Sequence, residues 1–134
     1  MLKDIPNHKV ENLVIAIAPR EEDSADALWD VYLINLEERP IRNVLVNSRG
    51  YGELEKEPRK TTVLRHFFEE IGPMTYVLIE PIQKKLFSFT NEYWVSFSLD
   101  NYLYDKKYVF VKGSIDEMNF TALPFINRSG VMIR

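Results

Sequence analysis

Residues 91–110, NEYWVSFSLDNYLYDKKYVF, decide how this chain folds. Apolar and polar side chains alternate along much of the stretch with a period of two, the pattern of a half-buried strand. At its middle stand Asp100 and Asn101, residue types that tolerate the positive φ of a tight hairpin turn. Reversing the chain there predicts a register, with Leu99 opposite Tyr102, Phe97 opposite Tyr104, Val95 opposite Lys106 and Tyr93 opposite Tyr108. One face then carries Tyr93, Val95, Phe97, Leu99, Tyr102, Tyr104 and Tyr108, with Lys106 as its only charge. The other carries Trp94, Ser96, Ser98, Leu103, Asp105 and Lys107. Both strands agree on the apolar face, so a second layer of chain must cover it.

Working outward, most other segments also read as strands. Residues 13–18 (LVIAIA) form a short apolar run stopped by Pro19. Residues 28–36 (LWDVYLINL) are apolar on both faces, which predicts a central strand. Residues 41–48 place Val44 and Val46 on one side, with Asn43, Leu45 and Asn47 on the other. In residues 75–81 (TYVLIEP), Tyr76, Leu78 and Glu80 alternate with Val77 and Ile79 until Pro81 closes the run. Residues 61–71 (TTVLRHFFEEI) fit two templates. Val63, Leu64, Phe67, Phe68 and Ile71 make a helical stripe stopped by Gly72-Pro73, whereas Thr-Thr-Val and Phe-Phe favour a strand. A strand is expected, because the surrounding segments are β.

The remainder reads as connection. Residues 1–12 predict a loose lead-in and residues 20–27 (REEDSADA) a charged loop. Arg49-Gly50-Tyr51-Gly52 predicts a turn or bulge, and residues 53–60 a charged connection. Residues 113–118 suggest a short helical turn capped by Ser114. Residues 114–134 are expected as a C-terminal edge segment, whose apolar pieces form a terminal hairpin or lie along the sandwich. About seven to eight strands punctuated by turns predict a single all-β domain over residues 1–134, an antiparallel β-sandwich. The strand, polar turn and strand of residues 35–46 resemble immunoglobulin-like modules.

Composition bounds the function. A chain of 134 residues can bury a core without disulfide or metal. A net charge of −3 argues against a large nucleic-acid or anionic-membrane footprint. The absence of cysteine excludes disulfides, thiol chemistry and zinc sites built on thiolates. The N-terminus lacks a basic-then-apolar leader pattern, and residues 13–18 are too short to span a bilayer. The expectation is a cytoplasmic protein with no membrane partner.

Chemistry is sparse in the sequence. The histidines are His8 and His66. His66-x-x-Glu69 would juxtapose two metal ligands on a helix, but on a strand they point to opposite faces. The serines sit in no Gly-x-Ser-x-Gly elbow, and Glu69-Glu70 diverge on a strand. Glu21, Glu22 and Asp23 lack the ligand ladder of a calcium loop, and the Arg49–Gly52 stretch lacks Walker spacing. No catalytic residue, metal or cofactor is therefore expected. Trp94, with Lys107 directly across, can form a cation–π pair or receive a partner. Interleaved aromatic and basic residues also serve single-stranded nucleic acid, although the acidic balance opposes that use. The candidate interaction surface is Arg49, Tyr51, Arg65, His66, Trp94, Lys106 and Lys107.

Residues 29–36 (WDVYLINL), 48–52 (SRGYG), 62–68 (TVLRHFF) and 104–107 (YDKK) resemble a short bacterial family. Its members sometimes carry the label phenylalanyl-tRNA synthetase alpha subunit. The resemblance spans nearly the whole chain, and the label implies aminoacylation. A synthetase core needs a much larger catalytic domain with arginine-bearing motifs that clasp ATP, and those motifs do not occur here. The resemblance carries over no catalytic residues and directs attention to Arg49–Gly52, Arg65-His66 and Asp105-Lys106-Lys107 as shared surface. The function expected is a non-catalytic interaction module for an unknown protein partner, self-associating as a homodimer by sheet-edge pairing or face packing. Residues 120–133 would be available to dock on the second copy. An RNA- or tRNA-associated accessory protein using Tyr51, Arg65, His66, Lys106 and Lys107 is the alternative, and a small hydrolase using His66 and Glu69 ranks last.

Overall fold

The computed structural model describes residues 10–21 and 27–134, together with the backbone of residues 3–4. The strands are β1 (Lys3–Asp4), β2 (Leu13–Pro19), β3 (Leu28–Asn35), β4 (Ile41–Leu54), β5 (Glu57–Lys60), β6 (Leu64–Ile71), β7 (Thr75–Gln83), β8 (Thr90–Leu99), β9 (Tyr102–Phe110), β10 (Thr121–Ala122) and β11 (Ser129–Ile133). The larger sheet runs β1-β9-β8-β4, and the far side of β4 is shared by β5 and β6. The smaller runs β10-β11-β2-β3-β7. Apart from the parallel β1–β9 pair, neighbouring strands are antiparallel. The all-β sandwich follows, with more strands than expected because short pairs such as β1 and β10 join the sheets.

The β8–β9 hairpin keeps the expected register at all four pairs, Leu99↔Tyr102, Phe97↔Tyr104, Val95↔Lys106 and Tyr93↔Tyr108. Asp100 and Asn101 turn the chain with φ of 51° and 67°. Tyr93, Val95, Phe97, Leu99 and Tyr108 are buried and meet Leu13, Ile15, Ile17, Val31 and Leu33 from the opposing sheet. Tyr108 donates its hydroxyl to Leu13 O at 2.7 Å, which satisfies a phenol that burial would otherwise orphan. Each fully buried large side chain stabilises this core by about 1.5–3 kcal/mol.

β3 is central and buried on both faces, as its composition predicts. Its outer face and that of β2 are covered by the C-terminal segment, where Leu123 and Ile126 pack over Val14, Ala16, Ala18, Tyr32 and Ile34. Phe120 meets Trp29 edge-on at 5.6 Å, and β11 pairs with β2. Much of residues 120–133 is therefore engaged in the chain's own fold, which corrects their expected availability to a second copy.

Several connections differ from expectation. β4 runs straight through Arg49-Gly50-Tyr51-Gly52, because those glycines make room rather than turns. A Cβ at Gly50 would lie 3.0 Å from Thr61 Cγ2, and one at Gly52 2.9 Å from Phe89 Cδ1. The turn comes at Glu55-Lys56 instead, with φ of 53° and 67°, and residues 57–60 return as β5. Residues 61–71 are strand from Leu64 onward. The helical turn after β9 is Glu117–Asn119, capped by the Asp116 side chain on Met118 N at 2.9 Å, not by Ser114. Lys3–Asp4 pair with Tyr102 and Leu103, so the lead-in is partly strand. His8, Glu22, Asp23 and most of both the lead-in and the charged loop lie outside the described residues.

Candidate functional site

Two regions collect the polar and aromatic groups that the core leaves over. The first is the outer face of the larger sheet. Cross-strand pairing aligns Arg65, Asn47, Trp94 and Lys107 in one row and Phe67, Leu45, Ser96 and Asp105 in the next. Trp94 is 42% exposed and Phe67 63%. Lys107 Nζ sits 5.3 Å from the Trp94 ring centre, the expected cation–π pair. Beside them Glu92, its side chain 5% exposed, accepts from Arg49 Nε at 2.8 Å and lies 3.4 Å from Lys107 Nζ. Arg49 also stacks 5.5 Å over Tyr51. A buried carboxylate thus holds two of the face's cations.

Not all expected surface residues share this face. Arg49, Tyr51, Arg65, Trp94 and Lys107 do, whereas Lys106 and His66 point the other way, as strand alternation dictates. Lys106 Nζ donates to Val10 O at 2.8 Å and lies 5.1 Å from the Tyr108 ring centre. Burial pulls its ammonium below the ordinary lysine value, with Glu11 opposing and Arg134 reinforcing.

His66 lies beside the second region, an inter-sheet cavity of about 190 Å³ bordered by β4, β6, β7 and β8, and reaches it through Glu80, which lines it. Its Nε2 is 2.8 Å from Glu80 Oε1, and Ser48 donates its hydroxyl to the same oxygen at 2.6 Å. Glu80 reaches this position through a β-bulge. The β3–β7 register shifts between Val31 and Tyr32, so Val31 pairs with Glu80 and Tyr32 with Leu78. Ile79 is the extra residue. Simple alternation puts Glu80 on the outer face with Tyr76 and Leu78, and the bulge re-aims it inward. The carboxylate near His66 is therefore Glu80, not Glu69, and periodicity alone could not have found it.

Tyr93 and Asn91 also line this cavity. Tyr93 is 2% exposed, and burial, helped by the Glu80 charge, holds its phenol far above the ordinary value. Ser48 and His66 meet on one carboxylate oxygen rather than on each other, so neither is set up as nucleophile and base. A wider hollow of about 310 Å³ lies at the hairpin end. Two of its polar side chains are engaged within the fold, Asn35 with the carbonyls of Arg39 and Gly72 and Arg39 with Asp100.

Among the described residues, no group of three or more acidic, His or Cys side chains could hold a metal ion, and no helix is long and apolar enough to cross a membrane. No protein-family model, curated protein or solved structure matches the chain.

Proposed function

We propose that this chain is a non-catalytic, immunoglobulin-like interaction module of the cytoplasm that self-associates through the free edge of β6. One observation carries the reading, the symmetry of β6 about Phe67. Along its outer face come Arg65, Phe67 and Glu69, all exposed. Neither Arg65 nor Glu69 has an ion-pair or hydrogen-bond partner among the described residues, and β6 pairs only with β4. A second copy added antiparallel, with the two-fold axis at Phe67, puts Phe67 on Phe67. It also sets each Arg65 opposite Glu69 of the second copy. Unpaired strand edges template such additions, a two-fold interface is self-complementary, and opposite charges across strands contribute about 0.2–1 kcal/mol each. Half-buried Leu45 and exposed Trp94 extend the contact toward further partners.

Sedimentation over a concentration series tests the reading. A monomer–dimer equilibrium weakened by Phe67→Ser is expected, and a monomer at every concentration contradicts it. The RNA-associated alternative needs phosphate-seeking cations, but of those it names Lys107 lies against Glu92 and Lys106 donates to Val10 O, which leaves Arg65 as its one cation without a partner among the described residues. Salt-dependent retardation of RNA in a mobility assay would favour that alternative.

A further inference from the structure

The inter-sheet cavity offers an independent site. Glu80 uses Oε1 for both Ser48 and His66, leaving Oε2 without a partner among the described residues. The Tyr93 hydroxyl makes no hydrogen bond among the described residues, yet it is not among the side-chain atoms sealed from solvent without a partner, and the residue lines the cavity. Asn91 gives its amide hydrogens to Leu86 O at 2.8 Å and Phe89 O at 3.2 Å, so its Oδ1 is the available atom. Each of these three oxygens can accept a hydrogen bond, and one carries charge. Arg49, at the rim, has its guanidinium on Glu92. The remaining wall includes the apolar side chains of Leu64, Ile82 and Leu86.

We infer that this cavity binds a small alkylammonium ion, its head on Glu80, Tyr93 and Asn91 and its hydrocarbon against Leu64, Ile82 and Leu86. A cationic donor answers a pocket whose free polar atoms include three acceptors, one of them a carboxylate oxygen, and charge-assisted hydrogen bonds are the strong ones. The Tyr93 hydroxyl and the free Glu80 oxygen gain a partner when an ammonium donates to them. The volume of about 190 Å³ corresponds to roughly six water molecules, enough for a four-carbon amine.

The test is an NMR titration of the isotope-labelled full chain with n-butylammonium chloride, with sodium chloride matching ionic strength. Saturable shifts confined to amides of β4, β6, β7 and β8 around the cavity are expected. Glu80→Gln should weaken binding about tenfold or more, since it removes a charged acceptor. It keeps an oxygen for Ser48 and His66, and the amide spectrum reports whether it stays folded. Tyr93→Phe, which leaves the Ser48–Glu80–His66 cluster intact, should weaken binding by about threefold or more. Nα-acetyl-lysine amide in a parallel arm identifies the source. Binding equal to that of butylammonium points to lysine side chains, and much weaker binding points to free amines. The inference is overturned if shifts do not saturate, if n-butanol binds equally well, or if both variants titrate like the parent.

Discussion

His66 on β6 and Glu80 on β7 join the two sheets through a 2.8 Å contact between Nε2 and Oε1, with Ser48 on β4 donating to the same oxygen. Replacing Glu80 by Ala leaves two partly buried donors without an acceptor. Such losses cost about 1–3 kcal/mol, so chemical denaturation should show a destabilisation in that range. Glu80→Gln should cost less. Equal stability of Glu80→Ala and the parent would show that the cluster holds nothing together.

Glu92 predicts an asymmetric result. Its side chain is 5% exposed while that of Arg49 is 47% exposed. Arg49→Ala strips the nearer cation from a buried carboxylate and should destabilise by about 1–2 kcal/mol, below the fully buried limit because solvent reaches the arginine. The double substitution Arg49→Ala with Glu92→Gln should recover part of that loss, measurable as a coupling in a double-mutant cycle. Additive effects would contradict the pairing.

Alkaline pH should unfold the chain through its tyrosines. Burial holds the phenols of Tyr93 and Tyr108 above their ordinary value, and the Glu80 charge adds to this at Tyr93. Unfolded tyrosine ionises near about pH 10, whereas these two keep their protons in the fold. Above that pH the unfolded state binds fewer protons, so their contribution, complete below about pH 10, is progressively lost as pH rises. Lys106 acts in the opposite sense. Its lowered value means that stability rises with pH between that value and the unfolded lysine value near about 10.4. Lys106→Met should therefore expose the tyrosine loss more cleanly in denaturant titrations. Stability that stays flat in Lys106→Met from about pH 9 to 11 would contradict the raised values of Tyr93 and Tyr108.

The β4–β5 turn is built from residues that dislike it. Glu55 and Lys56 both sit at positive φ, where Asn-Gly is preferred. Substituting Asn at 55 and Gly at 56 should stabilise by about 1 kcal/mol. A drop in stability would mean that the Glu55-Lys56 side chains contribute more than the backbone strain they impose.

These same residues show where the sequence was legible. The β8–β9 hairpin declared itself because alternation, turn residues and register agreed, and β3 because apolar residues filled both of its faces. The β4–β5 hairpin was hidden, since Glu-Lys at its turn looks like any charged connection. Gly50 and Gly52 read as punctuation although they make room for Thr61 and Phe89. Five of the seven expected surface residues share one face, while strand alternation turns Lys106 and His66 inward. Glu80 was invisible because a bulge shifts register without leaving a mark in a period-two pattern.

Self-association through β6 is the central claim, and a charge-swap series read by sedimentation tests it most directly. Arg65→Glu alone and Glu69→Arg alone should each weaken the dimer about tenfold, because like charges then face each other twice across the two-fold axis. The double substitution Arg65→Glu with Glu69→Arg should restore association to near the parent value. Dimerisation indifferent to all three variants, or a double variant no better than the singles, would contradict pairing about Phe67.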